Sequence, residues 1–399
     1  MTAARALFFS HDRRGLGHLR RTLALCDALL RRPDSVATLL VTGSRMAHAF
    51  RMPAELDYVK LPSVQKLHND EYAGATLDVP VDQIFRIREE ILFQTTRLFQ
   101  PDLLFLDTPP LAATGEVVRT VLYVRKHMKK TQIVVNLRDI LDEGQRVCAK
   151  WRQHGIFEFL ENCVDRILIY GSHDVYDAVS EYEFPSGMRD KTVYCGYIAR
   201  GHDKRAAELI RERFCTSGRK LVVVTVGGGS DGASLIEQYL QAASQRADFS
   251  EISSVILLGS DLCRDDLARI RKRHRSSHNT VLLDFVESAT SYIAAADLVV
   301  SMAGYNTLSE IAYLRKSAIV VPRVRPAAEQ LVRARRFAEL GIVRMLHPDE
   351  ARPQLLAESV NLALHHSLPH AANRIDFGGS EAFVREVDSL LDARPISRN

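Results

Sequence analysis

The chain has 399 residues, with 53 Lys+Arg against 49 Asp+Glu and a formal charge of +4. At about 150 residues per domain this length predicts two or three domains with an ample core, and the near balance of charge excludes a polycationic nucleic-acid footprint. A hydrophobic share of 46% with a mean hydropathy of -0.10 is ordinary globular composition and excludes a disordered chain.

The six cysteines (Cys26, Cys148, Cys163, Cys195, Cys215 and Cys263) are dispersed, with neither a CxxC pair nor a Cys/His cluster at zinc spacing. Neither a metal site nor a disulfide framework is expected. No signal-peptide core builds up before His11-Asp12-Arg13-Arg14. The apolar runs at 221–226 and 317–322 fall far short of the roughly 20 residues that cross a bilayer, so the expected location is the cytoplasm.

In chain order, apolar runs of strand length alternate with amphipathic stretches of helix length, the pattern of a parallel sheet covered by helices. The first unit predicts strands over 5–10, 37–42, 103–106, 132–137 and 166–170, with helices over 19–31, 81–99, 115–127 and 145–163. The second unit follows Cys195-Gly196-Tyr197, with strands over 220–226, 254–258, 280–284, 298–301 and 318–322. A last helical stretch, 381–391, is placed back on the first unit. Open α/β sheets bind ligands outside the carboxyl ends of their strands, so function is sought in the loops that follow strands.

Four such loops stand out. The first, His11 to Arg21, carries Gly15, Gly17 and His18 where a helix begins, and a histidine there favours the neutral form that suits a general base. Its plainer alternative is a glycine turn with a capping histidine. Arg13, Arg14, Arg20 and Arg21 around the turn favour an anionic ligand. The second, Gly227-Gly228-Gly229-Ser230-Asp231-Gly232, follows a strand and precedes a helix, an arrangement suited to a diphosphate. The third, Ser301 to Glu310, places Glu310 on a helix where it reaches a ribose diol or, more plainly, stands as a solvated charge. The fourth, Pro322 to Gln330, pairs Glu329 with Gln330, an acid and an amide suited to sugar hydroxyls or to an ordinary surface. Asp107, at a strand end before two prolines, either orients His18 or serves as a turn residue.

Together the loops resemble those of the GT-B glycosyltransferases, in particular the lipid-linked N-acetylglucosamine transferases of peptidoglycan synthesis and bacterial predicted glycosyltransferases related to them. The likeness is strongest from about Tyr194 to Arg344, where Ala303, Gly304, Thr307 and Glu310 match an Ala-Gly-x-x-Thr-x-x-Glu pattern. The resemblance implies an α/β GT-B fold of two Rossmann-like domains facing a central cleft. Its parts are an acceptor-side domain over 1–196, a nucleotide-sugar donor domain over 197–378 and a returning helix over 379–399. It also implies that Gly227, Gly228, Gly229, Ser230 and Arg200 hold the donor diphosphate, and that Glu310 binds the ribose. By the same resemblance the backbone at Phe285 and Val286 meets the base, and Glu329 and Gln330 hold the sugar. Arg14, Gly15, Gly17 and Asn136 then line the acceptor side, although the family loop carries more glycines than this one.

The resulting expectation is a metal-independent, inverting transfer from a nucleotide diphosphate sugar, most readily a UDP-sugar, to a hydroxyl acceptor, lipid-linked or glycan. His18 is the base and Asp107 its partner; no cofactor and no nucleic acid take part. Two alternatives remain: a hydrolase, since 15–25 also resembles the start of the UDP-sugar hydrolase of pseudaminic acid synthesis, and a non-catalytic sugar-nucleotide binding protein. The basic stretch 125–130 and the apolar-basic segment 50–67 face anionic lipid if the acceptor is lipid-linked, and otherwise face water.

Overall fold

The computed structural model describes residues 4–11, 17–66, 71–111, 115–199, 201–215, 218–229, 231–275, 279–365 and 375–393. The chain divides into two compact units. The first comprises Met1–Asp139, Gly144–Ile198 and Asp376–Asn399; the second comprises Ile140–Glu143 and Ala199–Ile375. The short stretch after residue 139 therefore groups with the second unit, a crossing that no composition shift in the sequence marks.

The first unit holds β1 (Ala4–Ser10), β2 (Val36–Thr42), β3 (Leu56–Lys60), β4 (Val64–Lys66), β5 (Tyr72–Gly74), β6 (Leu103–Asp107), β7 (Gln132–Arg138), β8 (Arg166–Tyr170) and β9 (Thr192–Tyr194). Seven of these form one sheet in the order β3-β2-β1-β6-β7-β8-β9, every pair parallel. β4 and β5 form a separate antiparallel pair. The central strands are buried on both faces, which is why they appear as continuous apolar runs and not as alternation. The helix Gly379–Asp392 completes this core from the far end of the chain. Its Phe383 ring lies 6.2 Å from Phe8 and 5.3 Å from Phe105, and its Asp388 pairs with Arg32.

The second unit holds β10 (Lys220–Thr225), β11 (Ile252–Leu257), β12 (Thr280–Leu283), β13 (Leu298–Ser301), β14 (Ala318–Val320) and β15 (Arg344–Met345). They run parallel in the order β12-β11-β10-β13-β14-β15. Val222 and Val224 pack with Ile236 and Tyr239 of the helix Ala233–Gln245 and with Leu356 and Val360 of the helix Pro353–His365.

Two local features depart from the sequence expectation. The helix expected over 145–163 is two, Gly144–Gln153 and Ile156–Cys163, because Gly155 adopts a φ of 63° that ends the first. The strands β3, β9 and β15 were not expected; all three are short edge strands, and β3 buries only Leu56 fully, so no apolar pattern marks it.

Both sheets reverse their strand order beside their first strand, between β1 and β6 in one unit and between β10 and β13 in the other. Such switch points leave a crevice at the carboxyl ends of the strands. Three of the four loops that the sequence singles out follow β1, β10 and β13 at these points, Asp107 closes β6, and the fourth loop follows β14.

Candidate functional site

At the first switch point the helix Gly17–Leu30 starts just after β1 and brings His18 and Arg21, one turn apart, onto Asp107 at the end of β6. His18 Nδ1 lies 2.7 Å from Asp107 Oδ2, Arg21 pairs with Oδ1, and the Thr108 amide donates to Oδ1 at 2.8 Å. All three side chains are buried. A carboxylate beside Nδ1 selects the tautomer that donates from Nδ1 and leaves the lone pair on Nε2. The His11 ring packs edge-on against His18, with centroids 5.8 Å apart.

The electrostatics follow from burial and charge. Desolvation pushes the His18 pKa below its usual 6.5 and outweighs the opposing pull of Asp107, with Arg21 and Arg138 pushing the same way as burial. Burial alone would raise Asp107, but the Arg21 guanidinium, then His18 and the hydrogen bonds, hold its carboxyl well below the ordinary carboxylate range. The cluster is therefore a neutral imidazole on an anionic carboxylate that an arginine keeps ionised.

Asn136 lies beside Asp107 in register on β7; its side-chain oxygen accepts from Tyr170 Oη at 3.0 Å, and its carbonyl accepts from Thr108 Oγ1 at 2.8 Å. Gly17 is exposed at the helix start. The sequence reading of four arginines facing an anion needs correction for two of them. Arg21 is buried on Asp107, and Arg20 lies over the Phe50 ring at 5.6 Å. Arg13, Arg14 and Gly15 lie outside the described residues.

In the second unit the loop after β10 begins at Gly227, where a Cβ would meet open space. Gly229 has a φ of 97°, and a Cβ there would overlap the Leu258 carbonyl, so this glycine is fixed by packing against the loop after β11. The Gly229 and Gly232 amides donate within the loop, to Val226 and Gly229 carbonyls at 3.2 and 3.0 Å. Of the loop expected to hold a phosphate, the Gly229 and Gly232 amides are thus spent within the loop itself. Arg200 and Ser230 lie outside the described residues.

After β13, Gly304 opens the helix Tyr305–Tyr313 with open space where its Cβ would stand. Glu310 on this helix is 3% exposed, so the solvated-charge alternative fails, while Thr307 is half-buried. Phe285 is 41% exposed and Val286 half-buried in the loop after β12. After β14, Arg323 Nη1 donates to Asp231 Oδ2 at 2.9 Å, its Nη2 pairs with Glu329 Oε1, and its amide donates to Gln330 Oε1 at 3.1 Å. Glu329 is buried, and among the described residues its Oε2 has no hydrogen-bond partner.

Sequence reasoning counted Arg21 among the cations for an anion and gave His11 and Asp231 no task of their own. Arg21 was detectable as the i+3 neighbour of His18 on a helix; the other two carry no signal before the fold brings them together. In the basic stretch 125–130, Arg125 is spent on the Cys163 carbonyl and Asp165, at 2.8 and 2.7 Å from its Nη2. Among the described residues no helix is long and apolar enough to cross a membrane, and no three His, Cys, Asp or Glu side chains group as a metal site.

Residues 222–387 match the glycosyltransferase family 28 C-terminal domain. Over 145 residues the chain is 28% identical to the UDP-N-acetylglucosamine--N-acetylmuramyl-(pentapeptide) pyrophosphoryl-undecaprenol N-acetylglucosamine transferase of Myxococcus xanthus. That match covers 36% of this chain and only 37% of the relative. The crystal structure of MurG from Acinetobacter baumannii superposes with a TM-score of 0.60 at 12% identity, covering 97% of this chain and 99% of that one. The UDP-GlcNAc 2-epimerase of Neisseria meningitidis, solved with UDP-GlcNAc bound, gives 0.61 at 13% identity, covering 98% and 100%. The fold is GT-B, and because an epimerase shares it, the fold does not choose the reaction.

Proposed function

We propose that the chain is an inverting, metal-independent glycosyltransferase that moves a sugar from a nucleotide diphosphate sugar, foremost a UDP-sugar, to an acceptor hydroxyl. The observation that carries this reading is the buried His18–Asp107 pair, 2.7 Å apart, at the end of β6. In the proposed step the acceptor hydroxyl gives its proton to His18 Nε2 as its oxygen attacks the anomeric carbon. The bond from that carbon to the diphosphate breaks, and its electron pair leaves on the phosphate oxygen. One displacement inverts the anomeric centre. Asp107 stabilises the imidazolium that forms and keeps its orientation.

On the donor side, backbone amides at Gly227 and Gly228, the helix start at Ala233, Ser230 and Arg200 stabilise the departing diphosphate in place of a metal. Glu310, with Gly304 and Thr307 at its helix start, takes the ribose; the backbone at Phe285 and Val286 takes the base; Glu329 and Gln330 take the sugar. With its oxygen engaged by the Arg323 amide, Gln330 offers its amide N–H groups. Gly17 and Asn136 serve the acceptor side, a role the sequence also gives Arg14 and Gly15. The M. xanthus relative, named for a pyrophosphoryl-undecaprenol acceptor, supports a lipid-linked acceptor.

The test is a panel of UDP-, GDP- and dTDP-sugars with and without polyprenyl-diphosphate-sugar acceptors. The expected result is acceptor-dependent release of nucleoside diphosphate, with an inverted product by NMR and full activity in chelator. Steady release of free sugar without acceptor identifies the hydrolase instead, and binding without turnover identifies a sensor.

A further inference from the structure

Arg323 stands out because the proposed chemistry gives it no task, yet it joins two of the loops that the donor is read to occupy. Its guanidinium bridges Asp231, in the glycine loop after β10, and Glu329, at the start of the helix Glu329–Glu339. Its side chain is 21% exposed, and those of Asp231 and Glu329 are 27% and 9% exposed. The arginine is thus compensated on both sides, which removes it from the free cations that an anionic diphosphate would meet. Glu329 is the asymmetric member. One carboxylate oxygen is held by Arg323, while the other is buried with no hydrogen-bond partner among the described residues. An acceptor in that state costs free energy until a donor reaches it, so an incoming hydroxyl there gains more than at the surface.

We propose that Arg323 is the positioning residue of the sugar site. It pins one oxygen of Glu329 so that the other is presented to a donor-sugar hydroxyl, and through Asp231 it fixes that carboxylate relative to the glycine loop. This rests on the donor reading above and adds a substrate class to it. The oxygen presented to the sugar belongs to a carboxylate, which accepts and does not donate, so it suits a neutral sugar that donates hydrogen bonds. A uronic acid, bringing a third carboxylate, is disfavoured by like-charge repulsion.

The test is calorimetric titration of the full chain with UDP, GDP, dTDP and ADP, then with the glucose and glucuronate conjugates of the diphosphate it takes. The wild type is expected to bind the glucose conjugate about 10-fold or more tightly than the glucuronate conjugate. Arg323→Met and Glu329→Gln are each expected to cut the advantage of the glucose conjugate over bare diphosphate about 5-fold, while changing the bare diphosphate's own affinity less than about 2-fold. The double variant loses little beyond either single change, because the two residues act as one unit. Arg323→Lys recovers part of the loss, since it keeps the charge without the fork. Should Arg323→Met fail to fold, Asp231→Asn cuts the same tether and is read in the same way. If the variants weaken bare diphosphate and conjugate equally, Arg323 only supports the loop; the inference is then overturned while the donor reading stands. If the wild type binds no nucleoside diphosphate, the donor reading falls and takes the inference with it.

Discussion

Two carboxylates, Asp107 and Glu329, are each held by an arginine, and they differ in how much of their hydrogen-bonding capacity is spent. Asp107 uses both oxygens, on His18 at one and on Arg21 and the Thr108 amide at the other. Glu329 uses one, and its second oxygen is open. A saturated carboxylate acts only through its neighbours, here by fixing the tautomer and charge of an imidazole. A half-saturated one is suited to a ligand. The same pair of residue types thus serves as an internal support in the first unit and as a recognition element in the second, decided by one unpaired oxygen.

The largest expected effect comes from removing the group that Asp107 supports. His18→Ala should lower the transfer rate about 10²-fold to 10⁴-fold with donor affinity unchanged by calorimetry, and unaltered turnover would end the assignment. Asp107→Asn sharpens the contrast in stability. It removes the anion that the buried Arg21 pairs with, and urea unfolding should show a loss of about 3–5 kcal/mol. Glu329→Gln, keeping an oxygen for Arg323, should cost under about 1 kcal/mol. Gly229→Ala falls between these, with an expected loss of about 1–3 kcal/mol from a left-handed residue packed against the Leu258 carbonyl.

The smallest effect is in pH. The folded pKa of His18 lies below its unfolded value, so the unfolded chain takes up the proton first as pH falls below about 6.5. Stability should therefore decline from about pH 6.5 down to the folded pKa, by at most about 1.4 kcal/mol per pH unit, and His18→Gln should flatten that decline. Asp107 acts in the same direction in a lower pH window. Its depressed folded pKa contributes stability above its unfolded value of about 3.9, and that contribution is lost only as pH falls below that value toward the folded one. Urea unfolding at a series of pH values, in wild type and in His18→Gln, separates the two.

The two α/β units were legible because strands buried on both faces give continuous apolar runs, as at β1, β6 and β10. The glycine loops were legible for a related reason, since strand ends at a switch point leave few other residues able to turn so tightly. What was not legible is the fate of individual charges. Glu310 is as well described by the sequence as a solvated helix residue as by a buried one, yet it is buried. Arg21 looked like a free cation for an anion and is paired with Asp107 across 86 residues, and Arg323 reaches Asp231 across 92.

Sequence alone therefore determined the fold class, the order of the elements and which loops lie at strand ends, because periodicity and glycine placement are local properties of the chain. Only the tertiary structure decided which acid supports His18, which glycine is fixed by packing and which carboxylate keeps an oxygen open. Those outcomes depend on pairs distant in the chain, and pairing sets both burial and charge.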